Sequence, residues 1–181
     1  SDEAGTAGIQ FEADQADDNA DLARITVNQS GLLEISGYGT GSWVTHLAKD
    51  STGKVGIGTN TPSSCLELAV NGNDNTLLQI SNYSETTNQA RLYFQTSKHA
   101  TIGSHTLIPA GTDIGMIDFN GSDGSNFVLG ARIKGTADEA FSGSGRGTYL
   151  SFHTVDNAST ALDERMRIDH NGNVGIGIAG P

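Results

Sequence analysis

Three glycines, Gly31, Gly53 and Gly172, each stand between short runs of alternating apolar residues, and this pattern constrains the fold more than any other feature. The clearest case runs from Glu164 to Gly177. Met166 and Ile168 lead into a turn, Val174 and Ile176 lead out, and Gly172 falls where a three-residue hairpin loop needs a left-handed residue. With the loop at His170-Asn171-Gly172, Ile168 faces Val174 and Met166 faces Ile176, so all the apolar side chains share one face. A two-residue Asn171-Gly172 turn would set Ile168 against Gly175 and Arg167 against Ile176. The three-residue loop is therefore the expected one.

The scheme recurs. At 119 positions earlier (172 − 53), Leu47 to Gly58 repeats it around Gly53, with Lys49 facing Val55 and Leu47 facing Ile57. Val55-Gly56-Ile57-Gly58 is identical to Val174-Gly175-Ile176-Gly177, and Pro62 corresponds to Pro181. At 141 positions earlier (172 − 31), Ile25 to Ile35 gives a third copy around Gly31, with Val27 facing Leu33 and Ile25 facing Ile35. Upstream at the same offset, Ile9, Phe11 and Arg24 fall on Leu150, Phe152 and Arg165. Recurrence at fixed register marks a modular architecture, in which a unit too small to bury its own apolar face stacks on neighbours.

The rest of the chain reads as strands. Arg91 to Phe94, Gly115 to Phe119 and Thr148 to Phe152 share an apolar-x-Phe ending and are expected to be equivalent. Phe127 to Ile133 is another strand, and Gly135 to Gly147 a glycine-rich loop. Leu66 to Val70 and Leu77 to Ile80, separated by Asn71 to Asp74, form a further hairpin candidate. With 24 glycines in 181 residues, about twice the usual share, and no dozen-residue segment of 3.6-residue periodicity, the expected class is all-β. Domains are expected at 1–62, holding two hairpin repeats, and at 63–181, ending in the third.

Charge and chemistry narrow the function. A net charge of −11 argues against a nucleic-acid groove or an anionic membrane surface, and no apolar run approaches twenty residues. The single cysteine, Cys65, excludes an internal disulfide and suits a strand side chain. Residues 1 to 8, small and acidic, read as disordered or part of a linker, and the four aspartates of Asp14 to Asp21 as a solvated loop. Asp169 to Asn173 places Gly fourth where a calcium loop needs it sixth, so no metal site is expected. The five histidines are scattered, nothing resembles a nucleophile with its base, and no cofactor is implied. The one ligand feature is Gly37-Tyr38-Gly39-Thr40-Gly41-Ser42-Trp43, where Tyr38 and Trp43 could stack on a sugar ring.

Glu164-Arg165-Met166-Arg167-Ile168 followed by Gly172-Asn173-Val174-Gly175-Ile176-Gly177 and Pro181 resembles the recurrent segment of bacteriophage tail fibres and related virion appendages. The copy at Gly53 to Pro62 is similar again, as are Gly115 to Phe119, Ala131-Arg132-Ile133 and Tyr149 to Phe152. Ile178, where that pattern has Thr, departs from it. The resemblance implies a homotrimeric shaft or knob, without cofactor, associated with other virion tail proteins and exposed on the outside of the virion. Such segments often precede a self-cleaving chaperone of the endosialidase type. None follows Pro181, so it is expected to have been removed or to lie in a longer chain. The reading is a non-enzymatic structural fibre segment that contributes to attachment at a host surface glycan. The alternatives are a carbohydrate-binding adhesin module and a spike glycoside hydrolase working with paired carboxylates.

Overall fold

A computed structural model of the chain describes residues 7–12, 22–39, 42–70, 75–83, 88–178 and 180. Among them eleven strands form two sheets, and no helix occurs. The chain divides into two units, Ser1–Ser81 and Asn82–Pro181, each holding one sheet. The acidic stretch Asp14 to Asp21, the Asn71 to Asp74 turn and the tip at residues 40–41 lie outside the described residues.

The first sheet runs in chain order: β1 (Ala7–Glu12), β2 (Leu22–Val27), β3 (Leu33–Gly39), β4 (Ser42–Lys49), β5 (Val55–Ile57) and β6 (Leu66–Leu68). Neighbours are antiparallel up to β5, and β6 lies parallel to β5. Alternation fixes which side chains meet. Ile9, Ile25, Ile35, Leu47, Ile57 and Leu68 are successive register partners across the six strands and make one apolar row.

In the second sheet β7 (Asp113–Ser122), β8 (Phe127–Ala137), β9 (Thr148–Val155), β10 (Leu162–Ile168) and β11 (Val174–Ile176) form an antiparallel meander. The corresponding row is Ile117, Ile133, Phe152, Met166 and Ile176.

All three hairpins pair in the register that alternation gives: Val27 with Leu33, Lys49 with Val55 and Ile168 with Val174. Their turns share one design. The N–H of Asn28, Asp50 and Asp169 donates to the carbonyl of Leu32, Lys54 and Asn173, and Gly31, Gly53 and Gly172 donate back to Asn28, Asp50 and Asp169. The three glycines have φ of +77°, +93° and +84°, the left-handed position of a three-residue loop.

The likeness of the second and third hairpins extends to their exits. Each incoming strand carries a register shift, and Gly58 and Gly177 turn back, with φ of +77° and +70°, to donate to the carbonyls of His46 and Arg165. His46 and Arg165 stand 119 positions apart (165 − 46), the same offset as the turns.

Three strand expectations fail. Leu66 to Leu68 does not open a hairpin with Leu77 to Ile80 but adds in parallel to β5, where Val55 N–H donates to Cys65 O and Ala69 N–H to Ile57 O. Leu77 to Ile80 and Arg91 to Phe94 form no strand. Both carry strand alternation but share no backbone hydrogen bonds with a strand edge among the described residues. The loop expected from Gly135 also starts later, because β8 runs on to Ala137.

The two left-handed glycines of the second hairpin should respond unequally to alanine. At Gly53 a Cβ meets open space, so Gly53→Ala carries only the conformational cost of about 1–2 kcal/mol. At Gly58 a Cβ would run into the Ala69 carbonyl as well. Gly58→Ala should therefore lower the unfolding midpoint clearly more than Gly53→Ala, as read by denaturant unfolding.

Candidate functional site

The outstanding property of both sheets is how much of their apolar rows is left in contact with solvent. Among the described residues the buried apolar side chains are only Ala48, Pro62, Ile108 and Ala137. Phe11 is 51% exposed, Phe119 55% and Ile176 78%. A row of apolar side chains left open to solvent on a sheet is the mark of an interaction face.

On the second sheet the apolar face has one deep feature. Gly115 and Gly135 are register partners and leave a notch, into which Phe94 packs so closely that a Cβ on Gly115 would collide with the Phe94 ring. Met116, Ile117, Ile133 and Leu150 complete its lining, so the notch is almost wholly apolar.

The opposite face is polar and largely satisfies itself. Arg132 donates twice to Asp118, at 2.6 and 2.8 Å, and Arg167 twice to Glu164, at 2.8 Å each. The bonds from Arg132 hold the Asp118 carboxyl below its ordinary range, and the Glu164 contact raises Arg167. Arg167 also lies 3.8 Å from the centroid of the Tyr149 ring, a cation–π geometry. Lys134 reaches Asp113 at 3.2 Å, and Thr136 Oγ1 donates to the same carboxylate at 2.9 Å.

One pair on this face looks chemical. Ser151 Oγ and His153 Nε2 are 2.9 Å apart, and Glu164 is the register partner of His153. The arrangement does not make an open nucleophile. Ser151 is fully buried beneath its longer neighbours, and both Glu164 oxygens are engaged by Arg167. Partial burial, reinforced by the charge of Lys134, keeps His153 below the usual imidazole pKa, favouring its neutral form.

Sequence reading overlooked what the residue three before each turn glycine does. Asp169 Oδ1 accepts the N–H of Asn171 and Asn173, at 2.9 and 2.8 Å, and Oδ2 accepts Asn173 Nδ2 at 2.9 Å. Asp50 accepts the N–H of Thr52 and Lys54 and the Thr52 hydroxyl, and Asn28 does the same for Ser30 and Leu32. These are Asx turns, and the shared Asn/Asp position three before the Gly was the signal that could have revealed them. The carboxylate of Asp169 is therefore engaged within its own turn, Oδ1 by backbone N–H groups and Oδ2 by the Asn173 side chain. No group of three or more metal-ligating side chains occurs among the described residues.

Tyr38 and Trp43 are register partners at the closed end of β3–β4, so the backbone brings the two aromatic positions opposite each other. The Trp43 side chain lies outside the described residues. Gly31, Gly53 and Gly172 stand in three separate turns and form no common site.

No protein-family description and no curated protein sequence matches the chain. Solved structures do resemble it in fold. The carboxy-terminal domain of the bacteriophage T5 L-shaped tail fibre superposes with a TM-score of 0.65 at 13% identity, over 98% of this chain and 80% of that one. The same domain solved with its intra-molecular chaperone domain gives a TM-score of 0.67 at 13% identity, over 98% of this chain and 55% of that longer one. At this identity the likeness is one of fold: an all-β domain of the tail-fibre type.

The turn carboxylates set an acid limit. Hydrogen bonds hold Asp50 below its ordinary pKa, led by that from the Thr52 hydroxyl; in Asp169 those from Asn173 and Asn171 outweigh a desolvation push upward. A depressed carboxylate contributes stability present above its unfolded pKa, near 3.9, and lost as pH falls through the folded value. Asp169→Asn, which copies Asn28 of the first hairpin, should keep the turn but flatten the loss of unfolding temperature between about pH 4 and pH 2. Asp169→Ala should lower it at neutral pH as well.

Proposed function

We propose that this chain is a non-enzymatic structural segment of a trimeric phage tail fibre, a shaft or knob on the outer part of a virion that contributes to attachment at a host surface. The observation that carries the reading is the pair of apolar rows without cover: a chain that buries so little of its own cannot repay the ordering of its backbone, about 1–2 kcal/mol per residue. Assembly about a three-fold axis would bring like faces together and bury them, and each fully buried Ile, Leu or Phe returns about 1.5–3 kcal/mol. The likeness in fold to a tail-fibre domain supports a place in a virion tail; three chains, and other virion tail proteins as neighbours, are what the sequence resemblance implies. The self-paired polar face, with its ion pairs closed within one chain, suits the outward side.

Attachment through sugar is the second part of the reading, and the pairing of positions 38 and 43 favours it. Two aromatic positions opposed at the end of a hairpin can offer ring faces to a pyranose. Trp43→Ala should abolish retention on a glycan array without changing the oligomer. Unchanged retention would remove Trp43 from the binding surface.

Light scattering after size exclusion tests the assembly. Three times 18.8 kDa gives a molar mass of about 56 kDa. Ile117→Asp places a charge on a position that one chain leaves 44% exposed. On a free surface it would be harmless; in an interface it should cost several kcal/mol and shift the mass toward monomer or aggregate. A folded wild-type monomer would overturn the trimer.

A further inference from the structure

Two stretches have the composition of strands, and part of the local geometry, without a sheet to belong to. In residues 75–83, Leu77 is 78% exposed, Leu78 67% and Tyr83 93%; in residues 89–94, Leu92 is 60% and Tyr93 66%. No backbone group of either stretch is hydrogen-bonded to the backbone of a described residue. The side-chain bonds within them nevertheless join residues two apart. Gln79 Nε2 donates to Ser81 Oγ at 2.8 Å, Arg91 Nη1 to the Tyr93 hydroxyl at 2.9 Å, and Arg91 Nη2 to Gln89 Oε1 at 3.0 Å. Neighbours at i and i+2 share a face on a strand and do not on a helix. The second stretch is also anchored: Phe94 fills the notch over Gly115, and Thr96 Oγ1 donates to Ile114 O at 2.6 Å. Strand-like residues whose backbone donors and acceptors are not taken up by any described strand, the second stretch also held at one end, are prepared for strand addition.

The geometry points to a second copy of this chain as the partner: residues 75–83 and 89–94 add as strands to sheet edges of a neighbouring copy. The inference rests on the trimeric reading above and gives it a mechanism of interlocking. β1 and β7, the long outer strands of the two sheets, each with a strand neighbour on one side only among the described residues, are the edges to receive such strands. In a symmetric assembly every copy would both offer and accept, which closes the edges that otherwise invite uncontrolled association. A side-chain interface alone would leave these backbone groups in water and the strand alternation unexplained.

Hydrogen exchange on the full chain, at a concentration where its mass is that of a trimer, tests the pairing. The amides of Leu77 to Ile80 and Leu92 to Phe94 should exchange at least about 100-fold more slowly than in an unstructured peptide. In parallel, Tyr93→p-benzoylphenylalanine should give chain-to-chain covalent species on irradiation. A trimer whose two stretches exchange at the peptide rate, or whose cross-links all stay within one chain, would overturn this inference and leave the trimer standing. A monomeric mass would overturn both.

Discussion

Each sheet of this chain carries one apolar row, and leaving those rows exposed is the constraint on which the rest depends. A sheet is stable when it covers one face with another layer. Here the registers are well specified, yet none of the residues that would form a core, from Ile9 to Leu68 in one sheet and from Ile117 to Ile176 in the other, is buried: each is half-buried or exposed. Among the described residues the ladders are formed while tertiary burial is slight, which is the deficit that the proposed assembly would make good.

Precision in the turns makes sense in that light. A strand of three residues, such as β5 or β11, has little intrinsic preference and is held by what precedes it. The Asx side chain, the left-handed glycine and the returning Gly58 or Gly177 close each hairpin with local bonds alone, before any apolar contact is made. Local closure sets the register, and register decides that every Ile and Val of the hairpin lands on the same face. A slip of one residue would turn that face over and remove the surface on which assembly depends.

This is also why the sequence was legible where it was. Hairpin registers follow from alternation and one glycine, both local, and they could be read without a structure. The bulges at His46 and Arg165 left no local signal, since an extra residue in a strand looks like any other. The Asx turns had one, the repeated Asn28, Asp50 and Asp169, but attention to glycine obscured it. Cys65 to Leu68 was misplaced because a parallel partner is non-local. Leu77 to Ile80 and Arg91 to Phe94 mark a different limit. Their alternation is real, but it meets no partner strand among the described residues.

The two faces of the second sheet divide the work in a way that bears on function. An enzyme or a tight ionic receptor site keeps some charge unspent, poised for a ligand. On this sheet the prominent charges are already committed: Asp118 to Arg132, Glu164 to Arg167, Asp113 to Lys134 and Thr136, while Ser151 and Thr136 are buried beneath longer side chains. Such a face offers a ligand little. The apolar face is the one that the proposed assembly would cover. What remains free to vary without loss of register is the closed ends of the hairpins, where Tyr38 and Trp43 are register partners, and the proposed fibre would change what it recognises there first.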